Sequence, residues 1–185
     1  MHEFEKKIVK KLNQHKSKTL DFLSSIISDV SFLIAVWIII GIFLIIRYSL
    51  VGIFVCFGLA IVFAIHFIIS EGVLKWGGKM FSLSRVRPYK AYPNEIRAIG
   101  KKFLDASFPS SHIASMVGGL TVLVYFYKSV LPFAIISVII LSWSRLRNGI
   151  HYPSYILAGI ALGLLYGYLA LIILKLFGTQ LILIF

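Results

Sequence analysis

Two histidines, His112 and His151, stand among cations in a pattern that could cleave a phosphate ester. They belong to three short polar clusters, at residues 79–88 (KMFSLSRVRP), 108–112 (FPSSH) and 144–155 (SRLRNGIHYPSY). One imidazole can attack phosphorus while the other protonates the departing oxygen. Arg87 and Arg145 each offer a planar fork of donors that suits phosphate oxygens. The clusters therefore predict phosphoryl-transfer chemistry, which depends mainly on positioning and charge stabilisation.

The middle cluster is typical of a helix start. Ser110 and Ser111 directly precede an apolar run, and serine is a favoured N-cap residue. The first amides of a helix lack intrahelical partners and, with the positive end of the helix dipole, favour a phosphate. Each cluster alone could be a helix cap or a headgroup anchor. Their shared location at one membrane boundary favours a single anion site.

The composition indicates that these clusters belong to a membrane protein. Of 185 residues 59% are hydrophobic, and the mean hydropathy is +0.92. A hydrocarbon core about 30 Å thick needs roughly 20 apolar residues per helix, and its backbone groups must be satisfied internally. We therefore predict an all-α, polytopic membrane helix bundle that forms one domain over residues 1–185. The lone Cys56 carries no information about the redox compartment.

Five apolar runs are candidates for transmembrane helices. They cover about residues 28–46, 49–70, 111–127, 130–143 and 153–177. Glycines at steps of four, Gly159, Gly163 and Gly167, predict close packing of the last span against a neighbouring helix. Residues 1–27 repeat apolar positions at helical spacing among lysines, which predicts an amphipathic helix in the headgroup region. Residues 71–109 are predicted to be a polar loop that carries the first cluster.

The cations are concentrated on one side of the predicted bundle. All but three of the 19 Lys and Arg residues fall there; the exceptions are Arg47, Lys128 and Lys175. The positive-inside rule would make that side cytoplasmic, but a phosphate site would require many of the same cations, so both orientations stay open. Cations beside apolar helices match anionic lipid headgroups better than nucleic acid. We expect membrane lipids as partners, and no nucleic acid.

The order Lys…Arg-Pro, Pro-Ser-x-His and Ser-Arg-x5-His resembles the three-part signature of the type 2 phosphatidic acid phosphatase superfamily. The resemblance covers most of the chain, and the layout is similar to small members that act on undecaprenyl diphosphate. It implies that His151 is the nucleophile, forming a phosphohistidine, and that His112 is the general acid. It implies phosphate binding by Lys79, Arg87, Ser110, Ser111 and Arg145. It implies no metal and no other cofactor.

The chain departs from the family pattern at three positions. Seven residues separate Lys79 from Arg87, where the family has six. Ser111 replaces a glycine of the second motif. Tyr155 stands where the family has an aspartate that orients the nucleophilic histidine. A phenol can hydrogen-bond an imidazole, but with a reference pKa of about 10 it carries no charge at neutral pH.

These features lead to one main hypothesis and three alternatives. The main hypothesis is an integral membrane lipid phosphate phosphatase that hydrolyses a prenyl diphosphate or a phosphatidate-like lipid, located as a multi-pass protein in the cell membrane. Tyr155 motivates the first alternative, a weakly active or non-catalytic member that binds a phospholipid headgroup. The second is phosphoryl transfer to an acceptor lipid. A transporter or channel is disfavoured because the spans contain few polar residues and show no inverted repeat. The lipid tail and the oligomeric state are left open.

Overall fold

The computed structural model describes residues 2–77, 86–103 and 107–182, and every regular element within these ranges is helical. The α-helices are α1 (His2–Gln14), α2 (Lys18–Ile27), α3 (Val30–His66), α4 (Pro88–Ala91), α5 (Ser111–Phe126), α6 (Leu131–Arg147) and α7 (Pro153–Ile182). A π-helix, Phe67–Gly77, continues α3, and a 3-10 turn, Lys128–Val130, precedes α6. The all-α prediction is confirmed for the described residues.

Within the described residues, three helical stretches are long and apolar enough to cross a membrane. They are Val30–Lys75, Lys128–Arg147 and Pro153–Phe177, whereas α5 is apolar but shorter. The outer face of α6 leaves large apolar side chains exposed, among them Phe133, Ile136 and Ile139. A soluble protein rarely exposes such a continuous apolar surface, so this face is suited to lipid.

A sharp bend divides α3 into two arms, residues 30–48 and 50–66. At the bend Ser49 has φ 48° and ψ −116°, which lies outside the helical region. The backbone of Gly52 approaches that of Leu44 so closely that a Cβ on Gly52 would lie 2.0 Å from the Leu44 carbonyl oxygen. Only glycine fits at such a contact, because any side chain would collide with backbone.

The two arms remain in contact away from the bend. The rings of Trp37 and Phe63 meet edge to face with centroids 5.7 Å apart. The Cys56 thiol lies 3.6 Å from the Gly41 carbonyl oxygen. The first two apolar runs of the sequence therefore form an antiparallel pair of helical arms joined by the bend at Ser49.

Besides α7, which ends at Ile182 and not at about residue 177, two helices extend further than the hydropathy of the sequence predicts. The second arm continues as the π-helix to Gly77, beyond the predicted end at Ser70, and buries the Ser70 hydroxyl 2.8 Å from that of Tyr166. Helix α6 continues past Trp143 to Arg147. In both cases the additional turns carry polar side chains that are buried within the protein, so apolar composition alone does not mark the helix end.

The core of the bundle is the contact between α5 and α7. A Cβ on Gly163 would lie 2.6 Å from the Ala114 carbonyl oxygen, and one on Gly159 would lie 2.9 Å from that of Ser110. This confirms that the glycine stripe lets the two helices approach closely. The second arm of α3 packs on the same core, whose buried members include Val55, Leu59, Val62, Ala114, Val122, Tyr166 and Ala170.

The N-terminal helix α1 packs on the polar end of the bundle. Its buried face consists of Glu5, Val9 and Asn13, spaced four residues apart, while Phe4 on another face is 72% exposed. The Glu5 carboxylate accepts a 2.8 Å hydrogen bond from the Ser154 amide at the start of α7. An acidic side chain is favourable at this position because it complements the helix dipole.

Asn13 connects three segments of the chain. Its Nδ2 donates to the carbonyl oxygens of Arg97 at 2.8 Å and Arg147 at 2.7 Å. Its Oδ1 accepts from the Arg97 amide at 2.8 Å. The side chain is fully buried, so these three bonds satisfy backbone groups that no water could reach.

We expect Asn13→Ala to destabilise the protein by about 3 kcal/mol, because a buried polar group without a partner costs about 1–3 kcal/mol. Gln14→Ala is the matched control, since Gln14 is its exposed neighbour on α1. Denaturant unfolding in detergent measures both changes. Equal stability of the two variants would show that the Asn13 bonds contribute little.

Candidate active site

A cavity of about 620 Å³ lies where α3, its π-helical extension, α5 and the α6–α7 connection meet. Five residues predicted from the sequence line this cavity: Arg87, Ser111, His112, Arg145 and His151. Four polar residues that were not predicted from the sequence also line it, namely His66, Glu71, Lys75 and Ser115. An apolar part of the lining is formed by helix α3 and its π-helical extension and includes Leu33, Ile34, Trp37, Phe63 and Phe67.

His151 occupies the connection between α6 and α7 and is almost fully buried, with 1% of its surface exposed. Its Nδ1 lies 2.8 Å from the backbone carbonyl oxygen of Ser107. Its Nε2 lies 3.0 Å from Nη2 of Arg145. The Ser107 hydroxyl donates to the carbonyl oxygen of Ile150 at 2.9 Å, which ties Ser107 to the histidine's own segment.

These two contacts define the tautomer of His151. A carbonyl oxygen can only accept, so Nδ1 must carry the proton; a guanidinium can only donate, so Nε2 must present its lone pair. Burial, reinforced by the charges of Arg145 and Arg87, lowers the pKa of His151 well below the usual histidine value. Both contacts therefore fit a neutral ring whose Nε2 lone pair is directed at an arginine.

Arg145 and Arg87 flank a shared aromatic ring. Their guanidinium carbons lie 5.4 Å and 4.8 Å, respectively, from the centroid of Phe103. Arg145 donates to the Ser28 carbonyl oxygen at 3.2 Å, and Arg87 donates to that of Ile150 at 3.2 Å. Both side chains are buried, and the ring and the carbonyls orient them toward one volume.

The start of α5 places His112 and Ser111 at the cavity and Ser110 behind it. The His112 ring meets Phe103 edge to face at 6.1 Å, and its buried Nε2 has no hydrogen-bond partner among the described residues. The Ser110 amide donates to the Tyr155 carbonyl oxygen at 3.3 Å. Its side chain is fully buried and is not part of the described cavity lining.

A lysine and a glutamate of the π-helix add a further charge pair to the cavity. Lys75 Nζ lies 3.0 Å from Oε1 of Glu71, and the same oxygen accepts a hydrogen bond from the Ser111 hydroxyl. Only 8% of Lys75 is exposed. Both residues fall in the segment that hydropathy predicts to be a polar loop, although their i, i+4 spacing is typical of an ion pair on a helix.

Arg147, two residues after Arg145, turns away from the cavity. It donates to the carbonyl oxygens of Leu12 at 3.0 Å and His15 at 2.8 Å, and to the Asp21 carboxylate at 2.6 Å. Although burial raises it, hydrogen bonds from Arg97 and Arg147 bring the pKa of Asp21 below its usual value. Arg147 thus connects α1 and α2 to the segment that carries Arg145 and His151.

The sequence also predicts Lys79 and Tyr155 as site residues. Lys79 lies outside the described residues. Tyr155 is buried at the start of α7, where its ring packs edge to face on Phe108 at 5.4 Å and on Tyr152 at 5.1 Å. Nδ1 of His151 contacts the backbone of Ser107, a residue that was not predicted from the sequence. Because that contact uses a backbone carbonyl, the amino-acid type at position 107 could not predict it.

A comparison with known families identifies the chain. The family model of the PAP2 superfamily matches residues 50–178, a range that contains all three polar clusters. The chain belongs to the PAP2 superfamily. This confirms the resemblance seen in the three motifs.

The fold of this PAP2 protein also resembles a solved structure. That structure is a transmembrane PAP2-type phosphatidylglycerolphosphate phosphatase from Bacillus subtilis, with 23% sequence identity and a TM-score of 0.62. The match covers 97% of this chain and 86% of the other, and shows a common fold. A search of curated proteins found no match. With its apolar helices and this fold, the PAP2 chain is a membrane protein.

We expect His151 to remain neutral, with its proton on Nδ1, at pH values where an ordinary histidine is already charged. A lowered pKa moves protonation to lower pH. The neutral ring should therefore persist well below the reference histidine pKa of about 6.5. Nitrogen-15 spectra of histidine-labelled protein in detergent report both tautomer and charge, and His151→Gln assigns the signal.

The unfolded chain is the control, since its histidines should titrate near their reference value. An imidazolium spectrum for His151 at pH 6, or a proton on Nε2, would contradict the charge and tautomer assigned from the contacts of its two ring nitrogens.

Proposed function

We propose that this PAP2 protein is a lipid phosphate phosphatase that hydrolyses a prenyl diphosphate or a phosphatidate-like lipid. The observation that carries the proposal is that His151, with its Nε2 3.0 Å from Arg145, lines the same cavity as His112. A buried nucleophile, a second imidazole and adjacent guanidinium groups are the components that phosphoryl transfer requires.

In the first proposed step, Nε2 of His151 attacks phosphorus. The new N–P bond forms as the bond between phosphorus and the lipid oxygen breaks, and His112 donates a proton to that oxygen. The Ser107 carbonyl accepts a hydrogen bond from Nδ1–H and so stabilises the positive charge that develops on the ring. A bound phosphate dianion offsets the nearby arginine charges and favours the protonated form of His112.

In the second proposed step, water cleaves the phosphohistidine. His112, now neutral, accepts a proton from the water as its oxygen attacks phosphorus. The N–P bond breaks, inorganic phosphate forms, and Nε2 of His151 regains its lone pair. Arg87, Arg145 and Lys75 would bind the phosphoryl oxygens in both steps, with Ser111 at the start of α5.

The apolar wall of the cavity supports a lipidic substrate. It is built from both arms of α3, including Leu33 and Trp37 of the first and Phe63 of the second. A phosphate held by the arginines would leave its esterified chain next to these side chains. The B. subtilis relative is named for phosphatidylglycerolphosphate, so that lipid belongs in the substrate panel.

We propose five membrane crossings for the chain. The two arms of α3 would cross separately, and α5, α6 and α7 would supply the others. Helix α1 would lie at the headgroups, since its exposed Phe4, Lys7 and Lys11 offer apolar and cationic groups to that region. The proposed location is the cell membrane.

Replacing the nucleophile should abolish turnover. His151→Ala is expected to lower phosphate release from the panel lipids by about 10³-fold or more, because loss of a covalent nucleophile removes the whole pathway. His15→Ala is the matched control, since the His15 side chain is exposed on the same polar end. Release by the His151 variant at a rate similar to the control would exclude the proposed mechanism.

A headgroup-binding function is the second candidate, because Tyr155 replaces the family's aspartate. We expect the wild-type protein to be active, since the Ser107 carbonyl already contacts Nδ1 of His151. Tyr155→Asp should then give no more than about a threefold gain, as it would place a carboxylate in an apolar cluster. An inactive wild-type protein that the Asp variant activates would favour the binding function.

A further inference from the structure

Glu71 brings a negative charge into a cavity that otherwise gathers cations. Its carboxylate faces the same space as Lys75, Arg87 and Arg145. A carboxylate repels a phosphate that binds nearby, so its presence in an anion site weakens that site. The hydrogen bonds and ion pair of Glu71 indicate a different role for this carboxylate.

The carboxylate is tied to two groups that suit a phosphate. Oε1 of Glu71 lies 3.0 Å from Lys75 Nζ, and Oε2 accepts a hydrogen bond from the same nitrogen at 3.3 Å. Oε1 also accepts from the Ser111 hydroxyl. Glu71 therefore accepts from donors that a bound phosphate would use.

The local backbone positions this pair. The π-helix Phe67–Gly77 carries Glu71 and Lys75 to the cavity wall, where Glu71 contacts Ser111 at the start of α5. Such π-helical turns are rare and occur often at functional sites. Lys75 is nearly buried, and a buried cation is stable only with an anion close to it. Either Glu71 or a phosphate can meet this need.

We propose that Glu71 is an internal counter-ion that competes with phosphate for Lys75 and Ser111. This inference rests on the proposed function, because it concerns the same cavity. When the lipid phosphate or the product phosphate binds, Lys75 and Ser111 turn toward its oxygens. When product phosphate leaves, Glu71 takes those donors again, so the cationic site does not retain its own product.

The experiment measures binding of inorganic phosphate by calorimetry in detergent. Glu71→Gln removes the charge but keeps an oxygen that can accept from Ser111. It should bind phosphate about tenfold more tightly than the wild type, since a nearby negative charge is lost. Glu71→Asp keeps the charge and should stay within about threefold of the wild type. Unchanged or weaker binding by Glu71→Gln would overturn the inference.

Lys75→Gln provides a second test if the Glu71→Gln protein does not fold. It removes the cation that both anions share and leaves Glu71 to repel phosphate, so binding should weaken at least about tenfold. Unaltered affinity would overturn the inference.

Direct binding separates this inference from the proposed function. Calorimetry requires no turnover, so a protein that releases no phosphate from lipids can still show the predicted change in affinity. In an active protein, product inhibition adds a second readout. Phosphate should inhibit the Glu71→Gln variant at about tenfold lower concentration, with lipid product measured by mass spectrometry.

Discussion

Three buried guanidinium groups, those of Arg87, Arg145 and Arg147, constrain the polar end of this protein. A buried cation is tolerated only when acceptors surround it, and apolar helices provide almost none. The acceptors come from elsewhere in the chain. Arg147 uses carbonyls at the end of α1 and the carboxylate of Asp21, and Arg145 uses the carbonyl of Ser28. The N-terminal helices are thus required where the sequence suggests only a membrane-surface segment.

The same constraint shapes the proposed chemistry. Arg145 is held on one side by the Ser28 carbonyl and on the other faces Nε2 of His151. His151 is in turn held through Nδ1 by Ser107. This series of contacts keeps the imidazole neutral and its lone pair directed at the cations. A phosphate that replaces the Arg145–His151 contact would bind between two groups that are already oriented. This lowers the entropic cost of positioning them for the reaction.

Much of this arrangement could be predicted from the sequence. The apolar runs and the glycine steps of the last span specified a helical bundle in which α7 packs closely on a neighbour. Two of the three polar clusters were specific enough to indicate the superfamily. The different directions of Arg145 and Arg147 also follow from helix geometry, because two residues correspond to about 200° of rotation.

Other features could not be predicted, for physical reasons. Hydropathy ends the second apolar run at Ser70, yet the helix continues, because Glu71 and Lys75 face a polar cavity that only the tertiary structure creates. The contact from Ser107 to His151 uses a backbone carbonyl, which every residue possesses. Asn13 gives no signal by type or spacing, since its partners lie far along the chain.

A structure determined with orthovanadate tests the central claim most directly, since this anion mimics a phosphoryl group during transfer. We expect vanadium bonded to Nε2 of residue 151, with vanadate oxygens contacting the guanidinium groups of residues 87 and 145 and the ring of residue 112 nearby. Vanadate bound outside the cavity, or within it while Nε2 remains paired with the arginine, would contradict the account.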